Sequence, residues 1–435
     1  MSSNIYPLKL FNSAISDWSY NLLENVSHNI DAGQTAPQGE EYFENGVFPF
    51  IRMKHINSKS KYVEKYDLIN EKAIVDYRLK KYLKKSILLP KSGESIKLEN
   101  RKMLDNDSYV VNHLCIIEPN ENIIISDYLY YFLSIIKLSG LLTQTTTPSI
   151  NLSDIKKIQV SVPPLVEQRG IAEVLGTVDE AIRRTDAIIE KAEELKRGLM
   201  QRLLTRGIVH TEFKQTELGE IPSIWEKKPL EKCIIEPITN GVSPIQPNEE
   251  TGIWNLSLSA LSLSGFKDNE RKIAPIDIDL KKYRLREGDI LVSRSNTRPL
   301  VGLAAMYNGN PEICIYPDLM MRIRVNPAIL NPYFLELWLQ HPLIRHFFMS
   351  SARGTSGSMV KINQTILGSV VIPIPSLEEQ NKITEKIHSV TEKIKTEKNI
   401  KKKIEEAKKG LMQVLLSGRV RVRLDEGGLH RIRDS

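Results

Sequence analysis

At 435 residues the chain is too long for one ordinary hydrophobic core, and about two to three domains are expected. An apolar content of 41% excludes a disordered chain, and a net charge of +7 is a mild basic excess compatible with a polyanionic partner. Cys115, Cys233 and Cys314 are odd in number and far apart, which argues against a disulfide framework or a zinc site and for a reducing, cytoplasmic setting. No run approaches the roughly 18 apolar residues of a membrane span, so no membrane association is expected.

The first expected domain covers residues 1–162. It carries Asp17-Trp18 and Leu23 near its start and a loop with Arg52, Lys54 and His55. An apolar run, Leu83-Lys84-Lys85-Ser86-Ile87-Leu88-Leu89, follows, and the pattern predicts a helix over Ser126–Leu142. Ile158, Val160 and Val162 alternate as a strand does. A central helix is expected over residues 163–210, with Pro163 ahead of it and Gly207 as its stop. In it Ile171, Leu175, Val178, Ile182, Thr185, Ile189, Ala192, Leu199 and Leu203 step by three and four residues, broken only at Lys196, which is a heptad seam.

Residues 211–374 form a second domain that answers the first loosely. Ile224-Trp225 and Leu230 match Asp17-Trp18 and Leu23; the run Leu285–Leu291 matches Leu83–Leu89; Pro332-Tyr333-Phe334-Leu335 matches Asp127–Tyr130. Asp289–Val292 reads as a short buried strand after a Gly turn. Asn331–Ala352 reads as a helix capped by Asn331, with Pro332 in its first turn and Gly354 beyond its end. Val370, Ile372 and Ile374 alternate as a strand before Pro375. A C-terminal helix over 375–418 keeps the seam in Ile383, Ile387, Val390, Ile394, Ile404, Leu411 and Leu415. Glu397, Lys401 and Lys408 interrupt it, which predicts a weaker stretch or one shifted towards Ile400 and Ala407. Residues 419–435 are a basic tail.

The correspondence is closest in the helices. Residues 151–209 lie on 363–421 without a gap: Pro163-Pro164-Leu165-Val166-Glu167-Gln168 falls on Pro375-Ser376-Leu377-Glu378-Glu379-Gln380, and Gly198-Leu199-Met200-Gln201 on Gly410-Leu411-Met412-Gln413. A match this long is an internal duplication. The expected fold class is therefore α+β: two mixed α/β domains joined by two long helices that pair as an antiparallel coiled coil, related by a pseudo-twofold axis. A helix of about 40 residues is on the order of 60 Å long.

The repeated Pro-x-Leu-x-Glu-Gln, the long helix and Gly-Leu-Met-Gln-x-Leu-Leu, together with Leu285-x-x-Gly288-Asp289-Ile290-Leu291-x-x-Arg294, resemble the specificity subunit of type I restriction–modification systems over the whole chain. The first domain departs from the last motif, with Lys85-Ser86 in place of Gly-Asp. The resemblance implies a non-catalytic subunit without cofactor or metal. Each target-recognition domain would read one half of a two-part, asymmetric site in double-stranded DNA. The helices would set the spacer and dock two modification subunits, which bind S-adenosylmethionine and methylate adenine N6, and restriction subunits would join through the complex.

The residues agree with a non-catalytic reading. There is no Gly-x-x-x-x-Gly-Lys-Ser/Thr for nucleotide phosphates. Asn331-Pro332-Tyr333-Phe334 lacks the second proline of an adenine methyltransferase motif and is expected to be a capped helix start. Asp279-x-Lys281 has no partner carboxylate placed beside it, and the eight histidines show no ligand spacing.

DNA contacts are expected from loops. Arg294, Ser295, Asn296, Thr297 and Arg298 follow a strand and offer side chains that suit base edges: Arg matches guanine and Asn matches adenine. Arg353, Thr355, Ser356 and Ser358, with Lys361, are small, polar or basic, as a backbone approach to phosphate requires. Lys91 and Ser92, then Gln144, Thr145, Thr146 and Thr147, are their counterparts in the first domain, with Arg52, Lys54 and His55 on a further loop. Lysine runs such as Lys401-Lys402-Lys403 read first as solvated helix surface. A stand-alone two-headed DNA-binding protein would share this layout, and binding of S-adenosylmethionine by the chain itself would instead mark an enzyme.

Overall fold

The computed structural model describes residues 17–57, 60–142, 148–263, 265–354, 359–424 and 430–434. It divides into two compact units: the residues up to Ala187 together with those from Lys398 on, and Ile188–Glu397. Two long helices, Leu165–Arg206 and Leu377–Leu416, each contribute one half to either unit. Gly207 and Gly418 follow them at φ +63° and +69°, the left-handed conformation that closes a helix with least strain when the residue is glycine.

The first unit is built on a four-stranded antiparallel sheet, in the order Ser27–Ala32, Leu114–Pro119, Ile87–Pro90, Lys102–Met103. All of Ile87–Pro90 is buried. Side chains alternate across a strand, so Ile87 and Leu89 enter one core while Leu88 enters another. A strand covered on both faces reads as an unbroken apolar run. The first core gathers Trp18, Tyr128 and Phe132 with Ile171 and Leu175 of one long helix and Leu415 and Leu416 of the other. The second lies against a smaller sheet, Asp67–Ile69, Phe48–Ile51, Ser108–Val110, Lys81–Tyr82. Strand Ser19–Leu22 pairs antiparallel with Gln159–Val162 and holds the start of the domain to its end.

The second unit repeats this plan. Its main sheet runs Thr239–Asn240, Met320–Ile323, Ile290–Ser293, Ala304–Met306, all antiparallel. Ile290 and Val292 face one core and Leu291 the other. Glu226–Pro229 pairs with Val371–Ile374 as the strand pair of the first unit does. Leu203 and Leu204 at the end of the first long helix share a core with Ile383 and Ile387 near the start of the second.

Several expectations are corrected. The run match of Leu83 with Leu285 is one residue off, whereas the match of Lys85-Ser86 with Gly288-Asp289 keeps the register: Ile87 corresponds to Ile290, and Lys85 and Gly288 both take positive φ, 72° and 87°. Lys85 N–H donates to Leu104 O (2.8 Å) as Gly288 N–H does to Tyr307 O (3.0 Å). The helix expected over Ser126–Leu142 ends at Ile135 and gives way to a 3-10 turn, Leu138–Leu141. Glu99 accepts the Leu138 and Ser139 N–H groups (2.8 and 3.0 Å) and Arg101 takes the Ile136 carbonyl, so tertiary partners stop it. The helix expected over Asn331–Ala352 is two, Pro332–Gln340 and Pro342–Ser351. Pro342 has no N–H to continue the first, and His341 turns extended, its Nδ1 accepting the Leu343 N–H.

Within the first unit, Ile171, Leu175 and Leu415 are fully buried and Val178, Ile182, Ile404 and Leu411 half-buried. Within the second, Ile189, Ala192, Leu203, Ile383, Ile387 and Ile394 are buried and Leu199 and Val390 half-buried. The seam does not shift towards Ile400 and Ala407, which are exposed. Lys401 stays in it and pairs with Asp186; Lys408 pairs with Asp179 (2.5 Å), which also accepts the Tyr131 hydroxyl (2.7 Å). These two pairs run in opposite senses along the two helices, so the helix halves in this unit are antiparallel.

Candidate nucleic-acid interface

In each domain the loop leaving the central strand is joined to the segment that precedes the last strand. In the second domain Ser295 and Asn296 pair antiparallel with Lys361 and Val360, and Ile362 N–H donates to Arg294 O (3.0 Å). Arg353 and Lys361 exchange backbone hydrogen bonds (3.0 and 2.8 Å). In the first domain Ile150 N–H donates to Lys91 O (2.8 Å), Gly93 N–H to Pro148 O (2.8 Å), and Ser92 bridges Ser149. The structure thus brings together loops that lie far apart in sequence, twice, by equivalent backbone bonds. Gln144, Thr145, Thr146, Thr147, Thr355, Ser356 and Ser358 lie outside the described residues.

The side chains divide by what they already hold. Arg353, Lys361, Thr297 and Arg298 are exposed, and Arg298 Nη1 reaches back to Met349 O (2.7 Å). Arg294 is half-buried with Nη1 3.4 Å from Asp318 O. Asn296 gives its amide oxygen to Thr297 N–H (2.8 Å). Ser295 is 1% exposed and supports the loop from inside, its hydroxyl against Met359 Sδ. In the first domain Lys91 and Ser92 are half-buried, and the Ser92 hydroxyl meets His113 Nδ1 at 2.6 Å.

The third loop is an ion cluster around Asp67. Arg52 Nε lies 2.7 Å from its carboxylate, Lys54 Nζ 2.9 Å and His55 Nε2 3.3 Å, and the Arg52 guanidinium stacks on Phe43 and Phe50. Burial alone would raise the Asp67 carboxyl, but Lys54, His55 and Arg52 hold it below the usual range. Burial pushes the His55 imidazole down, so the neutral form is favoured. Lys54 is the most exposed of the three cations, its side chain 65% accessible.

Other sequence features resolve as structure. Asn331 caps its helix, Oδ1 accepting Tyr333 and Phe334 N–H (2.8 and 3.3 Å), and Asp279 caps another through Lys282 N–H (3.2 Å). Asp289 of the Gly-Asp motif is 2% exposed and receives Arg324 Nε and Nη2 (2.7 and 3.0 Å) and Arg286 N–H. Ser86 fills its place in the first domain, donating to Leu83 O (2.6 Å).

The repeated Glu-Gln pair has a role that side-chain identity alone does not show. Gln168 donates to Pro163 O and Ile123 O (2.8 and 3.0 Å) and accepts Ile125 N–H; Gln380 donates to Pro375 O and Ile329 O (3.0 and 3.0 Å) and accepts Asn331 N–H. Glu167 accepts the Trp18 indole N–H (3.1 Å) and a bidentate pair from Arg421 (2.7 and 2.7 Å). Glu379 accepts the Trp225 indole N–H (3.0 Å) and Ile208 N–H, with His210 Nε2 at 2.7 Å. Each glutamate therefore binds the segment that follows the other long helix.

A family model described as the type I restriction modification DNA specificity domain matches residues 16–194 and 272–406. The chain belongs to this family. Among relatives of this specificity-domain protein, the putative type I restriction enzyme MjaX specificity subunit of Methanocaldococcus jannaschii is 27% identical over 94% of both chains. The type I restriction enzyme EcoKI specificity subunit of Escherichia coli is 26% identical over 58% of this chain and 55% of its own. The fold matches the crystal structure of a type I restriction–modification S subunit from M. genitalium, with TM-score 0.58 at 13% identity, covering 93% of this chain and 98% of that one. A chain from a structure on complex assembly and conformational transition of the type I system matches at TM-score 0.53 and 15% identity, over 92% and 98%. Among the described residues no helix is long and apolar enough to cross a membrane, and no group of three His, Cys, Asp or Glu side chains is placed to hold a metal ion.

Proposed function

We propose that this chain is the DNA specificity subunit of a type I restriction–modification complex. Each recognition domain reads one half of a two-part, asymmetric site in double-stranded DNA. The long helices set the spacer and carry two modification subunits, through which restriction subunits join. Catalysis belongs to those partners: the modification subunits transfer a methyl group to adenine N6, and this chain holds neither their cofactor nor reacting residues.

The observation that carries the reading is the loop pair built identically in both domains, Lys91–Gly93 with Pro148–Ile150 and Arg294–Asn296 with Val360–Ile362. One scaffold used twice, with different side chains at its rim, suits two half-sites of different sequence. Exposed Arg298, Arg353 and Lys361 suit contacts to the DNA backbone, and Arg294 and Asn296, both half-buried, have side chains that suit base edges. The test is genome-wide adenine methylation with and without this gene. A two-part motif that vanishes on deletion supports the reading; unchanged methylation, or turnover by the purified chain alone, overturns it.

A further inference from the structure

In each domain the loop leaving the central strand rests on a turn that no sequence motif marks. In the second domain Arg294 and Ser295 N–H both donate to Leu319 O (2.8 and 3.3 Å), which seats the loop on the turn Pro317–Leu319. In the first, Lys91 N–H donates to His113 O (3.0 Å) and the turn is Val111–His113. A further segment crosses each turn. Gly241 and Val242 N–H donate to Met320 O and Tyr316 O (3.2 and 2.9 Å), as Gly33 and Gln34 N–H do to Leu114 O and Val110 O (3.2 and 2.9 Å). A Cβ on Gly241 would stand 2.0 Å from Tyr316 O, and one on Gly33 2.2 Å from Val110 O, so only glycine permits this approach. Each turn is therefore braced from two sides. Ile87 pairs with Ile117 and Ile290 with Ile323, so Asn112 and Asp318, five residues before those partners, hold the same place in the two domains.

Both residues are exposed, and they differ in chemistry where the backbone does not. Asp318 is the one carboxylate in the segments Gly241–Ser243, Arg294–Arg298 and Pro317–Leu319, all described. Ser243 Oγ donates to its Oδ1 and accepts its N–H (3.3 Å), which orients the group, and Arg294 Nη1 lies 3.4 Å from its carbonyl oxygen. Phosphates repel a carboxylate, so at a DNA-facing rim it has one favourable partner, an amino group on a base edge. Cytosine N4 is a donor that an acidic side chain accepts from, whereas the adenine amino group has the acceptor N7 beside it. The Asn112 amide offers both a donor and an acceptor and matches adenine N6 and N7.

We propose that Asp318 and Asn112 are specificity-determining residues at equivalent places in the two domains, Asp318 reading a cytosine in one half-site and Asn112 an adenine in the other. The inference rests on the reading of this chain as a specificity subunit. It is tested with the full chain and purified modification subunits, on duplex oligonucleotides that carry the wild-type two-part motif with each base pair varied in turn. Adenine methylation rates give the preference at each position. Asp318→Asn should change the preference at one base pair of one half-site, from cytosine towards adenine, by at least about tenfold. Asn112→Asp should make the reverse change at one base pair of the other half-site. Both substitutions keep the size of an exposed side chain, so circular dichroism and thermal unfolding should match the wild type. Unchanged preferences in both variants overturn the proposal. A rise in affinity for every duplex with Asp318→Asn also overturns it, since that marks a carboxylate merely repelled by phosphates. A wild-type complex that methylates no two-part motif overturns the underlying reading instead.

Discussion

Replacing Arg421 by alanine tests the clamp that holds the segment after the second helix to the first domain. Arg421 donates through Nε and Nη2 to Glu167 at 2.7 and 2.7 Å, and through Nη1 and Nη2 to Asp17 at 3.0 and 2.6 Å. The Asp17 side chain is 50% exposed, so that half contributes no more than about 1 kcal/mol. Glu167 is 6% exposed, and without its guanidinium the carboxylate keeps only the Trp18 indole and Val422 N–H groups. Charge-assisted bonds of this kind contribute roughly 1.5–3 kcal/mol each, and breaking a buried pair costs about 3–5 kcal/mol. A loss of about 3 kcal/mol is expected from Arg421→Ala. For a unit of roughly 150–250 residues that lowers Tm by about 6–12 °C. Calorimetry of the full chain should show one transition falling by this amount and the other unmoved, and Glu167→Gln should recover part of the loss in the double variant. A shift no larger than that of Lys402→Ala, whose ion pair with Glu406 is solvent-facing at 3.9 Å, would refute the clamp.

Arg294→Ala should damage recognition of one half-site only, by about 1–3 kcal/mol, measured on oligonucleotides varied in each half separately; equal weakening on all DNA would mark a phosphate contact. Lys102 is 2% exposed, and burial pushes its ammonium down to about 8 from 10.5. The unfolded chain then binds more protons between these values, so this lysine destabilises the fold fully below pH 8 and progressively less as pH rises to about 10.5. Lys102→Met should raise Tm at pH 7 and give a smaller gain at pH 10; an equal gain at both would contradict this. Residues 1–211 should pair with a copy of themselves, because the two helix seams are near-equivalent, and a half-length chain that sediments as a monomer would count against it.

The strands and seams were legible because their side chains report burial directly: Ile87-Leu88-Leu89 is apolar throughout since both faces are covered. The break at Pro342 was also written in the chain and lay within a periodicity strong enough to mask it. Matching Leu83 with Leu285 by their apolar character slipped by one residue, while the turn position, Lys85 for Gly288, kept the register that both share at positive φ. The loop pairing that forms the candidate interface runs through backbone groups, Ser92 to Ser149 and Ser295 to Lys361, which no side-chain pattern records. For the same reason Ser295 could be proposed as a contact although it is buried, and Arg52 although Asp67 and two phenyl rings already hold it.

The bridge from Asp17 to Arg421 places the first described residue beside the segment that follows the second long helix, within one unit. The order in which the parts are translated is then incidental to the fold. A gene rearranged to begin at the loop after Gly207, with the segment after Arg421 linked back to Asp17, would encode the same set of contacts with its cut in a different place. Glu167 would still find Arg421, now as an interior neighbour, and Glu379 would find His210 near a new amino terminus. Circular permutation is thus expected to leave both domains and their clamps in place.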